Sequence, residues 1–165
     1  MLTGQVGICR SEHWFSRIVQ IVTGSYWGHV VVAVSNDRCV SAEPGGVRYR
    51  PISYYADNEE IVWSRFELTP AQRKTIQRWA VNHVRTKYNW ADYYAIGFAM
   101  ITKSATPARL RRWLSSTDSL QCAQLADQAL QAAGIHLFKD DRVPGAVYPG
   151  SFGKHFHAMG WAHKP

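Results

Sequence analysis

Strand-like segments and the turns between them occupy the first 66 residues of this 165-residue chain. β-branched and aromatic residues dominate these segments, and Asn36-Asp37 and Pro44-Gly45-Gly46 provide the chemistry of tight turns. The pattern predicts an antiparallel meander. Its strands are expected at Gln5 to Cys9, His29 to Val34, Arg38 to Ala42, Gly46 to Arg50 and Glu60 to Phe66.

Helical patterns dominate the second half. Thr69-Pro70-Ala71-Gln72 predicts a capping box that opens a helix running to about Lys87, and Ser119 is a candidate N-cap for a helix that Gly134 closes. One helix is predicted between the first two strands, from Trp14 to Val22. In the second half, further helices are predicted from Trp90 to Ile101 and Pro107 to Leu114, followed by a loop marked by Pro144, Gly145, Pro149 and Gly150 and a short tail from Ser151. Sheet first and helices after is an α+β arrangement.

The length and the lack of repeats or flexible linkers predict one domain over residues 1–165. No basic segment followed by an apolar stretch opens the sequence, and Tyr93 to Ile101 is too short to cross a bilayer, which takes about 20 residues. We therefore expect no transmembrane segment and a soluble protein that is cytoplasmic as synthesised. Any action elsewhere would need a separate delivery route.

A net charge of +7 favours anionic partners such as cell-wall polymer or a lipid surface. The basic residues are spread along the chain, and no nucleic-acid-binding signature accompanies them. A nucleic-acid partner is therefore not expected. That alternative would show strongly salt-dependent affinity for nucleic acid strands.

The three cysteines form an odd set without C-x-x-C spacing, which argues against a disulfide framework and a zinc site. Cys9 and Cys39 lie in apolar strand-like runs, where a thiol is usually a small core residue. Cys122 falls in the first turn of its helix if Ser119 is the N-cap. The positive end of a helix lowers the pKa of a thiol below about 8.5, which would make Cys122 a candidate nucleophile. The alternative is a core residue in an alanine-rich helix.

Among seven histidines, His29 is the candidate base, because it opens the most apolar strand, where a polar ring requires a partner. Gly28 before it permits close approach of a backbone or a substrate. With Tyr26 and Trp27 it forms the candidate substrate-binding segment. Glu43 ends the strand expected to pair with the His29 strand and is the candidate orienting group, although an exposed turn glutamate fits the pattern nearly as well. No metal site is expected from the histidines of the tail.

These segments resemble the circularly permuted branch of the NlpC-type, papain-like superfamily, particularly the bacterial YiiX/YaeF-like hydrolases, with lecithin retinol acyltransferase as a more distant relative. The similar stretches are Thr23 to Val30, Val40 to Val47, Gln121 to Leu125 continuing to Ile135, and Val147 to Phe152. Ala123 and Gln124 replace the usual Ser-Glu of the family, and Ser151 replaces an Asp. Residues Asn89 to Trp113 have no counterpart that we can name.

The resemblance implies a permuted papain-like fold whose His strand precedes the Cys helix, with Cys122 as nucleophile, His29 as base and Glu43 as the polar third residue. It implies hydrolysis of an amide, for example in a peptidoglycan stem peptide, through a thioester acyl-enzyme without a cofactor. Two alternatives stay open: a lipid-directed acyl hydrolase or acyltransferase at the same site, and a non-catalytic binding module of the same fold.

Overall fold

The computed structural model describes residues 1–10, 16–17, 20–21, 24–43, 45–56, 60–86, 122–138 and 147–165. Its strands are β1 (Val6–Arg10), β2 (His29–Ala33), β3 (Arg38–Glu43), β4 (Gly46–Pro51) and β5 (Glu60–Trp63). Its helices with described bounds are α1 (Ser53–Ala56), α2 (Pro70–Asn82), α3 (Cys122–Ala132) and α4 (Pro149–Ala158). The predicted α+β class is confirmed.

The five strands form one antiparallel sheet in the order β4-β3-β2-β1-β5. All five predicted strands are present. β5 ends at Trp63 rather than at the predicted Phe66. At Phe66 the backbone pairs with the side chain of Gln5 instead of with the backbone of a neighbouring strand. Gln5 accepts a hydrogen bond from the backbone N–H of Phe66 at 3.1 Å and donates one to its carbonyl at 2.9 Å.

The two faces of the sheet carry different clusters. Alternate residues of a strand point to opposite faces, and Val30, Val32 and Val34 join the main core with α2, α3 and α4. Val31 points the other way, into a smaller cluster around Tyr55 of α1. The helices of the second half therefore cover one face, and α1 covers part of the other.

The predicted capping box of α2 is confirmed: Thr69 Oγ1 accepts from Gln72 N, and the Gln72 side chain accepts from Thr69 N. The helix ends at Asn82, five residues before the predicted end. Beyond it, Arg85 has φ = 76° and its backbone pairs with Val47, since Arg85 N donates to the Val47 carbonyl at 2.9 Å. Pairing with β4 thus stops the helix.

The predicted closure of α3 at Gly134 is confirmed. Gly134 has φ = 75°, and Ile135 N donates to the Leu130 carbonyl at 3.0 Å, as in a Schellman-type end. Ser119, the predicted N-cap, lies outside the described residues, as do the predicted helices 90–101 and 107–114. Of the helix predicted over residues 14–22, the four described residues are helical.

The C-terminal segment corrects the prediction. Pro149 and Gly150 were expected in a loop, yet they open α4, with Tyr148 as N-cap and Pro149 in the first turn. Proline is favoured at that position because its missing N–H has no partner in a helix anyway. Burial of Phe152 and Phe156 then holds the helix on the main core. Among the described residues, no helix has the length and apolar character needed to cross a membrane.

Candidate functional site

His29 is the first residue of β2 and pairs with Cys9 of β1. By strand alternation its side chain lies on the same face as Val31, opposite the main core. The ring is only 7% exposed. Its Nε2 lies 2.5 Å from Ser41 Oγ on β3, and its plane stacks on the Tyr55 ring with centroids 5.6 Å apart. The predicted requirement that this ring have a partner is therefore met.

Burial governs the charge of this imidazole. It lowers the pKa of His29 from 6.5 to about 4, and the negative charge of Glu43 acts in the opposite direction without cancelling it. His29 is therefore neutral at physiological pH. A neutral imidazole is the form that can accept a proton.

Glu43 ends β3 on the same face as His29. The β2–β3 register would place the two residues opposite each other, but the pairing stops at Val31 and Ser41. The carboxylate instead accepts hydrogen bonds from the Tyr55 hydroxyl and from Arg50, whose Nη2 lies 2.8 Å away. Its effect on His29 is electrostatic.

The carboxylate of Glu43 is held in its ionised form. Burial alone would raise its pKa, yet the hydrogen bonds from Arg50 and Tyr55, with the charges of Arg50 and His29, hold the pKa below its usual value. Burial and the nearby carboxylate also raise the pKa of the Tyr55 phenol, which therefore stays protonated. The Glu43 carboxylate on this face of the sheet is therefore negatively charged and accepts hydrogen bonds from Arg50 and Tyr55.

Cys122 begins α3 and is 1% exposed. It belongs to the main core, together with Val30 and Val32 of β2. Cys122 and His29 therefore enter the structure from opposite faces of the sheet. The predicted contact between these two side chains stays a prediction.

The far ends of α3 and of β2 are both bonded to α2. The C-terminal end of α3 is fixed by Gln72 of α2, whose Nε2 lies 3.4 Å from the Ala133 carbonyl. From the same helix, Gln77 Nε2 donates to the Val34 carbonyl, just beyond the far end of β2, at 2.8 Å. α3 also packs directly against β2.

The predicted substrate-binding segment is tied into the fold. Trp27 is buried, and its Nε1 donates to the Lys164 carbonyl at 3.0 Å. The Tyr26 hydroxyl donates to Glu60 Oε2 at 2.8 Å. A Cβ on Gly28 would lie 2.1 Å from Ser16 Oγ, so this glycine admits another part of the chain. The substrate-binding role of the three residues stays a prediction.

Sequence reasoning missed Ser41, Tyr55 and Arg50. Alternate residues of a strand share a face, so the sequence pattern could have predicted that Ser41 lies on the same face as Glu43. Tyr55 lies on a four-residue helix after β4, where no local signal ties it to β2. Ser41 is 0% exposed, and its hydroxyl lies against His29 Nε2.

The fold is that of an α+β protein, with a five-stranded antiparallel sheet and helices packed on its main-core face. The other face carries a buried group of polar side chains around His29 and Glu43. Among solved structures, metalloprotein YiiX from Escherichia coli O157:H7 is similar to this chain, with a TM-score of 0.58 and 19% sequence identity. The match covers 83% of this chain and 69% of YiiX. At this identity the likeness shows the fold alone.

No family profile and no curated protein matches the sequence. YiiX itself is described as a metalloprotein. In the part of this chain that the structure describes, no three His, Cys, Asp or Glu side chains are grouped so that they could hold a metal ion.

Proposed function

We propose that the protein is a cysteine hydrolase in which Cys122 is the nucleophile and His29 the base. One observation carries the proposal: Cys122 begins α3, a helix that packs against β2, and the neutral His29 is the first residue of β2. The YiiX-like fold supports it, since the sequence resemblance points to the same group of proteins.

The chemistry follows from these positions. His29 takes the proton from the Cys122 thiol, the sulfur attacks an amide carbonyl, and the tetrahedral intermediate collapses to a thioester as His29 protonates the leaving amine. Water then hydrolyses the thioester and regenerates the thiol. The N-terminal end of α3 stabilises the thiolate, and the backbone N–H of Cys122 can donate to the oxyanion.

The mechanism sets a clear geometric demand. Because Cys122 belongs to the main core and the His29 ring lies on the opposite face, the sulfur has to reach the imidazole around the end of β2.

We propose a peptide amide as substrate, such as a peptidoglycan stem peptide, since a net charge of +7 attracts anionic polymers. The permuted papain-like topology belongs to the same proposal.

A non-catalytic binding module is the second candidate. The placement of Cys122 and His29 on opposite faces favours it, because a thiol becomes an effective nucleophile only with a base within reach. In that case Cys122 is a core residue of α3 and the polar network around His29 serves stability alone.

Alkylation of the thiols separates the two candidates. The native protein is treated with iodoacetamide between pH 5 and 9, and the labelling of each cysteine is read by peptide mass spectrometry, alongside His29→Ala. A hydrolase labels selectively at Cys122 near neutral pH and loses that selectivity in His29→Ala. The internal controls are Cys9 and Cys39, both buried, with burial raising the pKa of Cys39 to about 12.

The matched control variant is His83→Ala, whose ring stacks on Trp79 of α2 away from the sheet face that holds His29. It should leave the labelling of Cys122 unchanged. Equal labelling of Cys122 in the native protein and in His29→Ala would refute the hydrolase and leave the binding module.

A further inference from the structure

We propose that Tyr55 is a positioning residue for His29: its ring, anchored by the Glu43–Arg50 ion pair, covers the imidazole and keeps water away from it. The consequence of this cover for catalysis rests on the proposed function. The cover itself does not, since it follows from the contacts of these side chains.

Neighbouring strands enclose the imidazole on two sides. His29 pairs with Cys9 of β1, and side chains of residues directly opposite in an antiparallel pair lie side by side. On the other side, Nε2 lies 2.5 Å from Ser41 Oγ of β3. Cys9 and Ser41 are both 0% exposed. Access of water to the ring is therefore decided by the layer above the sheet, where α1 lies.

Tyr55 of α1 forms that layer over His29. It is 4% exposed and packs on this face of the sheet in one cluster with Val31. Its ring and the imidazole have centroids 5.6 Å apart and 29° between their planes, which is an offset-stacked arrangement. The tyrosine ring therefore covers the imidazole from above.

The hydroxyl of Tyr55 anchors this ring. It donates to the Glu43 carboxylate, which also accepts from Arg50, through Nε at 3.1 Å and Nη2 at 2.8 Å. The guanidinium contacts both carboxylate oxygens and so fixes their position. Because α1 has only four residues, its own hydrogen bonds cannot hold it in place, and side-chain contacts such as this one must do so.

The charge of His29 agrees with such a cover. Burial lowers the pKa of His29 from 6.5 to about 4, against the opposite effect of Glu43. An uncovered imidazole would regain water, and its pKa would return toward 6.5. With Tyr55 in place the ring can accept a proton at any pH above about 4, whereas without it the ring would do so only above about 6.5.

The other titratable groups on this face keep one charge state over that range. The Tyr55 phenol stays protonated, because burial and Glu43 raise its pKa. Cys39, in the same cluster as Tyr55 and Cys9, stays a thiol, because burial raises its pKa to about 12. Arg50 stays paired with Glu43. The proton between pH 4 and 6.5 therefore belongs to His29.

Diethyl pyrocarbonate, which acylates accessible neutral imidazoles, tests the cover directly. The native protein and Tyr55→Ala are treated at pH 7, and acylation of each histidine is read by peptide mass spectrometry. We expect His29 to be protected in the native protein and to react at least about tenfold faster in Tyr55→Ala. The internal reference is His157, which is exposed on α4 and should react equally in every variant.

Two further variants separate the ring from its anchor. Tyr55→Phe keeps the ring and loses the hydroxyl, so its His29 should react at a rate between those of the native protein and Tyr55→Ala. The matched control is Tyr54→Phe: Tyr54 is 46% exposed and lies under the Arg50 guanidinium, so the reactivity of His29 should not change. Thermal unfolding verifies that each variant is folded, and Tyr55→Leu replaces Tyr55→Ala if the alanine variant does not fold.

The pKa of His29 is the second readout, measured by NMR titration of its ring protons with His29→Gln for assignment. We expect a value at least about one unit higher in Tyr55→Ala than in the native protein and no change in Tyr54→Phe. Protection of His29 in Tyr55→Ala with an unchanged pKa, or native His29 as reactive as His157, would overturn the proposal. A native rate in Tyr55→Phe would overturn the anchoring by Glu43.

The result is independent of the hydrolase test. If His29 is uncovered in Tyr55→Ala while Cys122 labelling ignores His29, the cover stands and the proposed hydrolase falls. If the labelling depends on His29 but Tyr55→Ala leaves His29 protected, the reverse holds.

Discussion

At the scale of single residues, His29 ties the stability of the fold to pH. Its pKa is about 4 in the folded protein, against 6.5 for an ordinary histidine, because burial disfavours the charged ring. Between these two values the unfolded chain binds a proton that the folded chain does not. Stability therefore rises with pH through this window and falls as the solution is acidified.

The first prediction concerns that slope. Across the window the histidine should account for about 3 kcal/mol of unfolding free energy, since each unit of pKa difference is worth about 1.4 kcal/mol. His29→Gln should flatten the dependence between pH 6.5 and 4. Urea denaturation at several pH values measures both proteins.

The lowered pKa of His155 contributes in both proteins and cancels in the comparison. Glu43 acts with the same sign at the acidic end of this window and below it, because its pKa in the folded protein lies beneath its usual value of 4.5. Parallel slopes for the native protein and His29→Gln would contradict the buried, neutral state of His29.

The residues of this face show where sequence reasoning succeeds and where it stops. His29 and Glu43 were predicted to belong to neighbouring strands, and they do lie on one face. The contacts of His29 with Ser41 and with the Tyr55 ring depend on where the β2–β3 pairing ends and on a short helix that follows β4. No local pattern in the sequence indicates either feature.

At the scale of elements, the start of α2 was predictable because its signal is local. The cap is formed by residues within one short stretch, Thr69, Pro70 and Gln72. The ends of α2 and β5 were not, since a backbone pair with β4 and a side chain from Gln5 set them across the fold. The start of α4 was missed because Pro149-Gly150 is also typical of a loop.

The second prediction tests the cap of α2. Thr69→Ala removes the oxygen that accepts from Gln72 N at 3.2 Å and should cost about 1 kcal/mol of unfolding free energy. Thr69 is exposed, so no packing is lost with the methyl group. Chemical denaturation gives the value.

The control is Thr69→Ser, which keeps the hydroxyl and should stay within a few tenths of a kcal/mol of the native protein. If the alanine and serine variants were equally stable, the capping box would contribute nothing to the fold. α2 would then depend on its buried contacts at Ile76 and Ala80 alone.

At the scale of the whole molecule, α4 and the last residues close over the segment that precedes β2. Gly153 of α4 faces Trp27, which is fully buried. The indole N–H reaches the Lys164 carbonyl, so the ring is held between α4 and the C-terminal residues. This contact joins segments more than 120 residues apart in sequence.

The third prediction tests that closure. A Cβ on Gly153 would lie 2.3 Å from Trp27 Cδ1, too close for any real contact, so Gly153→Ala should lower the unfolding free energy by about 2 kcal/mol. A double-mutant cycle with Trp27→Phe isolates the cause, because the smaller ring vacates part of the space. Gly153→Ala should then cost less in the Trp27→Phe background than in the native one, giving a coupling energy between the two sites. Alanine is a better helix former than glycine, so equal costs in both backgrounds would mean that another contact, such as the Pro165 backbone 3.1 Å from the same Cβ position, sets the requirement for glycine and that α4 packs independently of the ring.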